Sequence, residues 1–280
     1  MALKTIKNKI KSIQRTSKVT KAMEAVSAVK MRKSQEKAVK GRPYAEASLR
    51  ILENISHSLD VKNHQFFKEG TGTHDCIIVI TSDKGLAGSL NSAVLKEATN
   101  IVLNTGKDAV ELICFGKKAY EHFERRGYVI PKHYINVADD VEIADMEEVV
   151  SYITDAFQGG KYRKVYVVYQ NFISTFEQKA VKRQILPIQT DEVRSMIEDI
   201  LPKHGKFSTE ARVASGGVYN VEQSDEKLFD SMFRTLVEIM LYHALLESKA
   251  SEHSARMVAM KNATDKAKDV TKTLTLLYNK

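Results

Sequence analysis

Both ends of the chain carry the spacing of a coiled-coil seam. Near the N-terminus, apolar residues recur at intervals of three and four residues, which places them on one face of a helix. These are Leu3, Ile6, Ile10 and Ile13, and a weaker stripe continues through Val19, Met23 and Val26. Because Gly41 and Pro43 follow, we expect the helix to bend or break there and a second helical stretch to run to about Leu59.

The C-terminal seam is more regular, with 4-3 spacing over its whole length. Ser224 is a predicted N-cap, and Asp225 and Glu226 suit the first turn of the helix that follows. At 1.5 Å per residue this helix is about 80 Å long, more than a globular core needs. Between Ala250 and Thr271 the seam is small, polar or Met, unlike a leucine zipper. The predicted positions are Met232, Leu236, Ile239, His243, Leu246, Ala250, His253, Met257, Met260, Thr264, Ala267, Thr271, Leu274 and Tyr278.

Between these ends, strand-like and helix-like runs alternate. Strands are predicted over residues 75–81, 109–115, 128–131, 164–172 and 178–188, and helices over residues 87–104, 117–126 and 143–157. Such alternation predicts βαβ units and a largely parallel sheet. The last run alternates charged and apolar residues, which predicts an antiparallel edge strand. Proline and glycine are absent from residues 1–40 and 218–280, so two long helices enclose a compact middle.

The charge is concentrated at one end of the chain. Residues 1–42 hold 13 Lys and Arg against Glu24 and Glu36, a net of +11, whereas the whole chain has a net of +8. We interpret this segment as the binding surface for an acidic partner. A solvated basic face and nucleic-acid binding stay open as alternatives, although the segment has no Phe, Tyr or Trp on which bases could stack.

The compartment is predicted to be the cytoplasm. The N-terminus lacks the apolar core of a secretory signal, and no apolar run approaches the roughly 18 residues of a membrane-spanning helix. Cys76 and Cys114 lie in strand-like runs, and we expect both to be buried, reduced thiols.

One glycine-bearing turn invites a catalytic interpretation. The stretch "SDKGLAGSLN" (residues 82–91) lies between a predicted strand and a predicted helix, the usual frame for a phosphate site. It lacks the GK[ST] of a P-loop, and Lys84 precedes Gly85 and Gly88, so a tight turn that needs glycine geometry is the preferred interpretation. No nucleophile is paired with a base, and His243 and His253 are too far apart to share a metal. We therefore predict no catalytic, cofactor or metal site, with a nucleotide-binding enzyme as the alternative.

Three motifs together resemble the gamma subunit of bacterial F-type ATP synthase. They are "ASEHSARMVAMKNATDKA" (residues 250–267), "SDKGLAGSLN", and "KVTKAMEAVSAVKMRKSQ" running into "GRPYAE". The resemblance covers essentially the whole chain. It implies an α/β plus α fold, in which an antiparallel coiled coil of the terminal helices carries a central Rossmann-like α/β domain. The implied boundaries are residues 1–59 and 224–280 for the coiled coil and 74–215 for the globular domain.

The resemblance also implies a function without a catalytic site. In the family, gamma is the central rotor shaft that couples ion-driven rotation of the c-ring to ATP synthesis or hydrolysis on the beta subunits. The implied partners are the alpha and beta subunits, the epsilon subunit and the c-ring, without nucleic acid or membrane insertion. The implied location is peripheral, on the cytoplasmic face of the bacterial inner membrane.

Individual residues acquire expected roles through the family motifs. Met23 and Lys84 are expected to lie close to an acidic lever of a beta subunit. Tyr219 and Glu222 are expected at the contact with the c-ring and epsilon, although Gln223 replaces the family's proline after the Glu. The family continues past "LTLLYNK" with an Arg-Gln pair, which this sequence does not contain, so the contact made by that pair is not carried over.

Overall fold

Two long antiparallel helices dominate the computed structural model, which describes residues 3–55, 64–199 and 226–279. Helix α1 spans Leu3–Ile55, and the last helix, α6, spans Glu226–Asn279. Thr20 of α1 lies against Thr264 of α6, with 2.6 Å between the hydroxyl oxygens. Three heptads further along α1, Gly41 lies against His243, three heptads earlier in α6. The two helices thus keep one register, and we call this pair the shaft.

The interface of α1 with α6 is built from small and hydroxyl side chains. In α1 the buried positions are Thr20, Ser27, Ser34, Ala38 and Ala45. The predicted continuation of the apolar stripe is wrong here, since Val19 is 58% exposed and Val26 is 55% exposed. Small side chains let the helix axes approach closely, so the shaft is slender where its seam is polar.

The named seam residues differ in how deeply they lie. Leu246, Ala250, His253 and Met260 of α6 are buried and Met257 is half-buried. On α1, Ile6, Ile10 and Ile13 are half-buried, whereas Leu3 is 61% exposed at the tip of the shaft. The expected break at Gly41 and Pro43 does not occur, because α1 passes through both residues as one helix. Ser224, Asp225 and the stretch around Leu59 lie outside the described residues.

The middle of the chain forms a five-stranded sheet with the order β3-β2-β1-β4-β5. Strands β1 (His74–Ile80), β2 (Val110–Phe115), β3 (Lys132–Tyr134) and β4 (Tyr162–Phe172) are parallel. Strand β5 (Gln178–Leu186) is an antiparallel edge strand, as predicted. The helices are α2 (Leu90–Thr105), α3 (Lys117–Glu124), α4 (Glu147–Gln158) and α5 (Thr190–Asp199).

The central strand β1 has a core on each face of the sheet. Cys76, Ile78 and Ile80 pack in the cluster that includes Leu236 to Leu246 of α6, whereas Ile77 and Val79 pack in the cluster that includes α2. Both cysteines are free and buried, as expected, and burial raises the pKa of the Cys114 thiol to about 12. One apolar face of the central strands therefore packs against the shaft.

The predicted third strand is displaced and one helix was not predicted. The prediction over residues 128–131 is wrong, because β3 begins at Lys132; Pro131 has no N–H to donate to a ladder. Only Val129 of the predicted stretch pairs with β2, through its carbonyl, which accepts from the Leu112 N–H at 2.9 Å. Helix α5 begins with polar residues, Thr190 and Asp191, and gave no clear apolar signal in the sequence.

Candidate functional site

The turn after β1 is held by its own side chains. We call residues 81–89 the βα turn. The Ser82 backbone N–H donates to the Asn91 side-chain carbonyl at 3.0 Å, and the Ser82 hydroxyl donates to the Lys84 carbonyl at 2.6 Å. The Asp83 carboxylate accepts from the Lys117 N–H, the first of α3, at 2.9 Å. A carboxylate of the chain itself thus lies at this helix N-terminus, where it would repel a phosphate.

Only one of the two glycines in the βα turn has a backbone that favours glycine. Gly88 has φ of +58°, in the left-handed region, and Leu86 has φ of +63°. Gly85 does not have positive φ, and a Cβ added there would meet no atom within 4 Å. The expectation that Gly85 shapes the turn is therefore wrong, and Leu86 adopts the strained conformation instead.

The βα turn is fastened to the shaft by Arg256. One guanidinium nitrogen of Arg256 lies 3.4 Å from the carbonyl oxygens of both Lys84 and Gly85, and 2.7 Å from the Glu252 carboxylate one helical turn earlier. Both Arg256 and Glu252 are buried. The Lys84 carbonyl therefore faces the shaft, while its side chain is exposed. Arg256 has no role predicted from the sequence, although a charged residue within a seam of small side chains is the one signal for such a contact.

A second turn is fastened to the shaft two residues before Arg256. Residues 173–177, which we call the hairpin turn, connect β4 to β5. The Ser254 hydroxyl of α6 donates to the Thr175 carbonyl at 2.6 Å, and the Ser251 hydroxyl donates to the Gln170 carbonyl at 3.1 Å. Since β1 and β4 are adjacent parallel strands, their two turns leave the same edge of the sheet side by side.

An acidic loop grips both helices of the shaft. Within residues 135–142, the Asp139 carboxylate lies 2.6 Å from the Lys30 ammonium of α1 and 3.0 Å from His253 Nε2 of α6. Asp140 pairs with Lys37, and Lys249 donates to the Val137 carbonyl at 2.7 Å. This acidic loop ties the globular domain to each helix separately, so it resists sliding of one helix past the other.

The charges of the acidic loop shift one another's protonation. Burial opposes ionisation of Asp139, but the hydrogen bond from Lys30 and the charge of Lys249 outweigh it and lower the pKa. Burial lowers the pKa of His253, against the opposing effect of Glu252 and Asp139. A neutral His253 can still donate its Nε2–H to Asp139. The buried Nδ1, which has no hydrogen-bond partner among the described residues, is then unprotonated.

Part of the basic charge of α1 is balanced within the chain. Lys30 and Lys37 pair with the acidic loop, and Arg32 pairs with Glu36 at 2.9 Å. Towards the tip the picture differs, because seven basic side chains form no ion pair with any residue that the structure describes. They are Lys4, Lys7, Lys9, Lys11, Arg15, Lys18 and Lys21. Positive charge without a described partner is therefore densest along the tip half of the shaft.

The predicted contact residues fall into two groups. Met23 is half-buried on α1, and the shaft register sets Arg256 level with residue 28, five residues or about 8 Å along the axis from Met23. Because Arg256 bonds to the βα turn, that turn with Lys84 lies at nearly the same level along the shaft as Met23. Tyr219 and Glu222 lie outside the described residues. His243 and His253 are both buried in the shaft.

Within the described ranges, 3–55, 64–199 and 226–279, no helix is long and apolar enough to cross a membrane. The same residues contain no group of three or more His, Cys, Asp or Glu side chains arranged to hold a metal ion.

Comparison with known proteins gives consistent results. The family model described as ATP synthase matches residues 2–280. The ATP synthase gamma chain of Heliobacterium modesticaldum is 34% identical over 280 residues, covering 99% of this chain and 92% of that protein. That of Aromatoleum aromaticum is 36% identical over 282 residues, with the same two coverages.

Solved structures show the same architecture. A chain in the central stalk and c-ring of the Tetrahymena thermophila mitochondrial ATP synthase aligns with a TM-score of 0.64 at 25% identity, covering 88% of this chain and 99% of that one. A rotor chain of the Euglena gracilis mitochondrial enzyme aligns with a TM-score of 0.61 at 14% identity, covering 99% and 96%, and supports the fold. This chain therefore belongs to the ATP synthase gamma-chain family.

Proposed function

We propose that this chain is the central-stalk subunit that transmits rotation between the c-ring and the alpha and beta subunits of an F-type ATP synthase. It is a non-catalytic part of that complex. The observation that carries the proposal is the shaft, two helices of 53 and 54 residues in one antiparallel register that extends past the α/β domain. A pair of helices of this length is longer than a single globular core needs.

Transmission of rotation requires a body that turns as one piece. A shaft angle changes the nucleotide affinity of a beta subunit only through contacts that differ between angles. Three attachments resist rotation of the globular domain about the shaft. They are Arg256 at the βα turn, Ser254 at the hairpin turn and Asp139 at both helices. Torque applied to the globular domain therefore reaches both helices.

We assign the contact with the beta subunits to the level of the shaft at which Met23 and the βα turn with Lys84 lie. The exposed Lys84 ammonium and the seven unpaired basic residues nearer the tip supply positive charge for an acidic lever. Tyr219 and Glu222 are proposed, through the family motif alone, to meet the c-ring and epsilon subunit.

The complex to which gamma chains belong is membrane-associated. Within it, we place this chain peripherally on the cytoplasmic face of the bacterial inner membrane. The placement rests on family membership, and fractionation of cells into soluble and washed-membrane pools tests it. We expect the chain in the membrane pool and its release when the alpha-beta ring is stripped off.

Co-isolation from detergent-solubilised membranes tests the proposed function. A tagged chain is expected to bring down alpha, beta, epsilon and c subunits in fixed ratio. Its absence from every such complex would rule the function out. The rival interpretation, a nucleotide bound at the βα turn, predicts heat of binding when ATP or NAD is titrated into the isolated chain, whereas a rotor subunit predicts none. Duplex DNA, titrated at two salt concentrations, tests the nucleic-acid alternative in the same way.

A further inference from the structure

The βα turn and the hairpin turn both leave the carboxyl edge of the sheet next to α6. We call the βα turn and the hairpin turn together the collar. The collar is bonded to α6 at Ser254 and Arg256, two residues apart. Beyond Arg256, the described hydrogen bonds of α6 are internal to the helix or reach Thr20 of α1. The remaining 23 residues to Asn279 thus extend about 35 Å past the collar.

This placement determines what the collar meets. A ring of subunits that encloses the extended part of the shaft must end next to the collar, since the globular domain is too wide to follow the shaft into the ring. The collar is therefore the part of the globular domain nearest to the enclosing subunits. Here the inference rests on the proposed function, because that function is what supplies the ring.

The collar presents two large apolar side chains to solvent. Phe176 in the hairpin turn is 81% exposed, and Leu86 in the βα turn is 65% exposed. An exposed Phe at the apex of a turn gains nothing from the fold of its own chain. Aromatic side chains that stand on a surface and fill a pocket of a partner are the usual anchors of protein interfaces.

The hairpin turn is built to hold Phe176 still. The Ser174 hydroxyl accepts from the N–H groups of Phe176 at 3.3 Å and Glu177 at 3.1 Å. The backbones of Ser174 and Glu177 bond each other in both directions, at 2.9 and 3.3 Å. The Gln178 side chain donates to the carbonyls of Ser174 at 3.0 Å and Thr175 at 3.1 Å. A turn with this many bonds loses little conformational freedom when it binds, which favours affinity.

We propose that Phe176 is an apolar anchor that inserts into a pocket of a beta subunit, on the face of that subunit next to the collar, with Leu86 as a second apolar contact. The beta subunit is chosen because the same collar exposes the Lys84 ammonium, which favours a partner that presents a carboxylate, as the acidic lever does. The collar thus combines the Phe176 ring, the Leu86 side chain and the Lys84 ammonium on two turns that are both bonded to α6. Because Phe176 turns with the shaft, it engages successive beta subunits in turn.

Leu103 provides a matched control for this anchor. It is 72% exposed on α2, so its exposure resembles that of Phe176 without belonging to the collar. Both native cysteines are buried, which leaves a clean background for labelling.

A photo-crosslinking experiment identifies the partner. Benzoylphenylalanine replaces Phe176 or Leu103 in the assembled complex, which is then irradiated. We expect a crosslink from position 176 to a beta subunit and none to beta from position 103. A crosslink from position 176 only to epsilon or to another subunit, or no crosslink at all, would overturn the assignment.

A binding experiment measures the anchor directly. The purified alpha-beta ring is immobilised, and dissociation of the unmodified chain is compared with that of Phe176→Ala and Leu103→Ala. We expect dissociation about tenfold faster for F176A and unchanged for L103A, with equal melting temperatures for the free chains. Tight binding of the unmodified chain with no effect of F176A would refute the anchor alone. Failure of the unmodified chain to bind would refute the proposed function, and the anchor with it.

Discussion

The Asp139 carboxylate accepts a hydrogen bond from His253 Nε2 at 3.0 Å, across 114 residues of sequence. The other carboxylate oxygen of Asp139 lies 2.6 Å from the Lys30 ammonium. One side chain of the globular domain thus contacts both helices of the shaft. The small residues between the two helices bury less apolar surface than leucines would. We therefore expect the polar contacts of Asp139 to contribute to the stability of the helix pair.

Removal of the Asp139 carboxylate is expected to loosen the domain from the shaft. The variant Asp139→Ala should lower the free energy of unfolding by about 1–2 kcal/mol, the low end for charged hydrogen bonds, since the side chain is 39% exposed. The midpoint of urea unfolding measures this change. The control is Asp108→Ala, an exposed carboxylate with no ion pair to a described residue. Equal midpoints for the two variants would contradict the role of Asp139.

His243 is expected to make stability depend on pH. Burial lowers its pKa from 6.5 to about 4, so the unfolded chain binds a proton that the folded chain excludes. The contribution of His243 is therefore complete above pH about 6.5 and declines as the pH falls towards 4, by up to about 1.4 kcal/mol per pH unit. Urea unfolding at several pH values measures the slope. In His243→Gln the slope between pH 6.5 and 4 should be smaller by this amount, and an unchanged slope would count against it.

The Thr20–Thr264 contact is expected to behave as a coupled pair. Thr264→Val leaves the buried Thr20 hydroxyl without its partner across the shaft, at a cost of about 1–2 kcal/mol. The double variant Thr20→Val/Thr264→Val should cost less than the two single variants added together, because it removes both hydroxyls. Thr273→Val is the matched control, since Thr273 is exposed and also donates to a backbone carbonyl of its own helix. Strict additivity would show that the hydroxyl pair contributes nothing.

Alanine substitution of the two glycines of the βα turn distinguishes the effect of backbone conformation from the effect of packing. Neither has any atom within 4 Å of an added Cβ, but only Gly88 has positive φ. Gly88→Ala should destabilise the chain by about 1–2 kcal/mol, whereas Gly85→Ala should be neutral or slightly stabilising. Thermal melting of both variants checks this difference. The opposite order would mean that the turn differs from the one described.

Two charge changes test the assigned contact with the beta subunits. Met23→Lys adds a cation near the acidic lever and should uncouple ATP hydrolysis from proton pumping in membrane vesicles. Lys84→Glu reverses an exposed charge and should reduce torque without loss of fold, because its side chain has no described partner in the chain. Lys96→Glu changes another exposed lysine, on α2 and without an ion pair to a described residue, and serves as the control. Normal pumping in M23K together with normal torque in K84E would contradict the assigned contact with the beta subunits.

Elements that are stabilised by hydrophobic burial could be predicted from the sequence, whereas contacts that depend on side-chain size could not. The regular 4-3 spacing of α6 and the apolar strands reflect burial, so the long helix and the sheet could be predicted. The seam of α1 could not, because Thr20, Ser27 and Ser34 are buried there while Val19 and Val26 face solvent. An apolar stripe follows hydrophobicity, whereas this interface depends on side-chain size and hydroxyl hydrogen bonds.

The polar contacts between the globular domain and the shaft could not be predicted, for a different reason. The βα turn could be predicted because its strand, turn and helix are consecutive in the chain. Arg256 and Asp139 act on residues 172 and 114 positions away, and no local pattern encodes such distances. A pair of acidic residues in a loop opposite a basic helix was the one signal present for Asp139 and Asp140.

Single-molecule rotation of the reconstituted complex tests the central claim most directly. Asp108→Cys provides a reactive thiol on the surface of the globular domain, since the native cysteines are buried. A bead attached there reports the angle of the chain bound in an immobilised alpha-beta ring. We predict rotation in one direction, driven by ATP and stopped when ATP is withdrawn. Stable binding with a bead that only fluctuates about a fixed angle while the ring hydrolyses ATP would contradict a rotor.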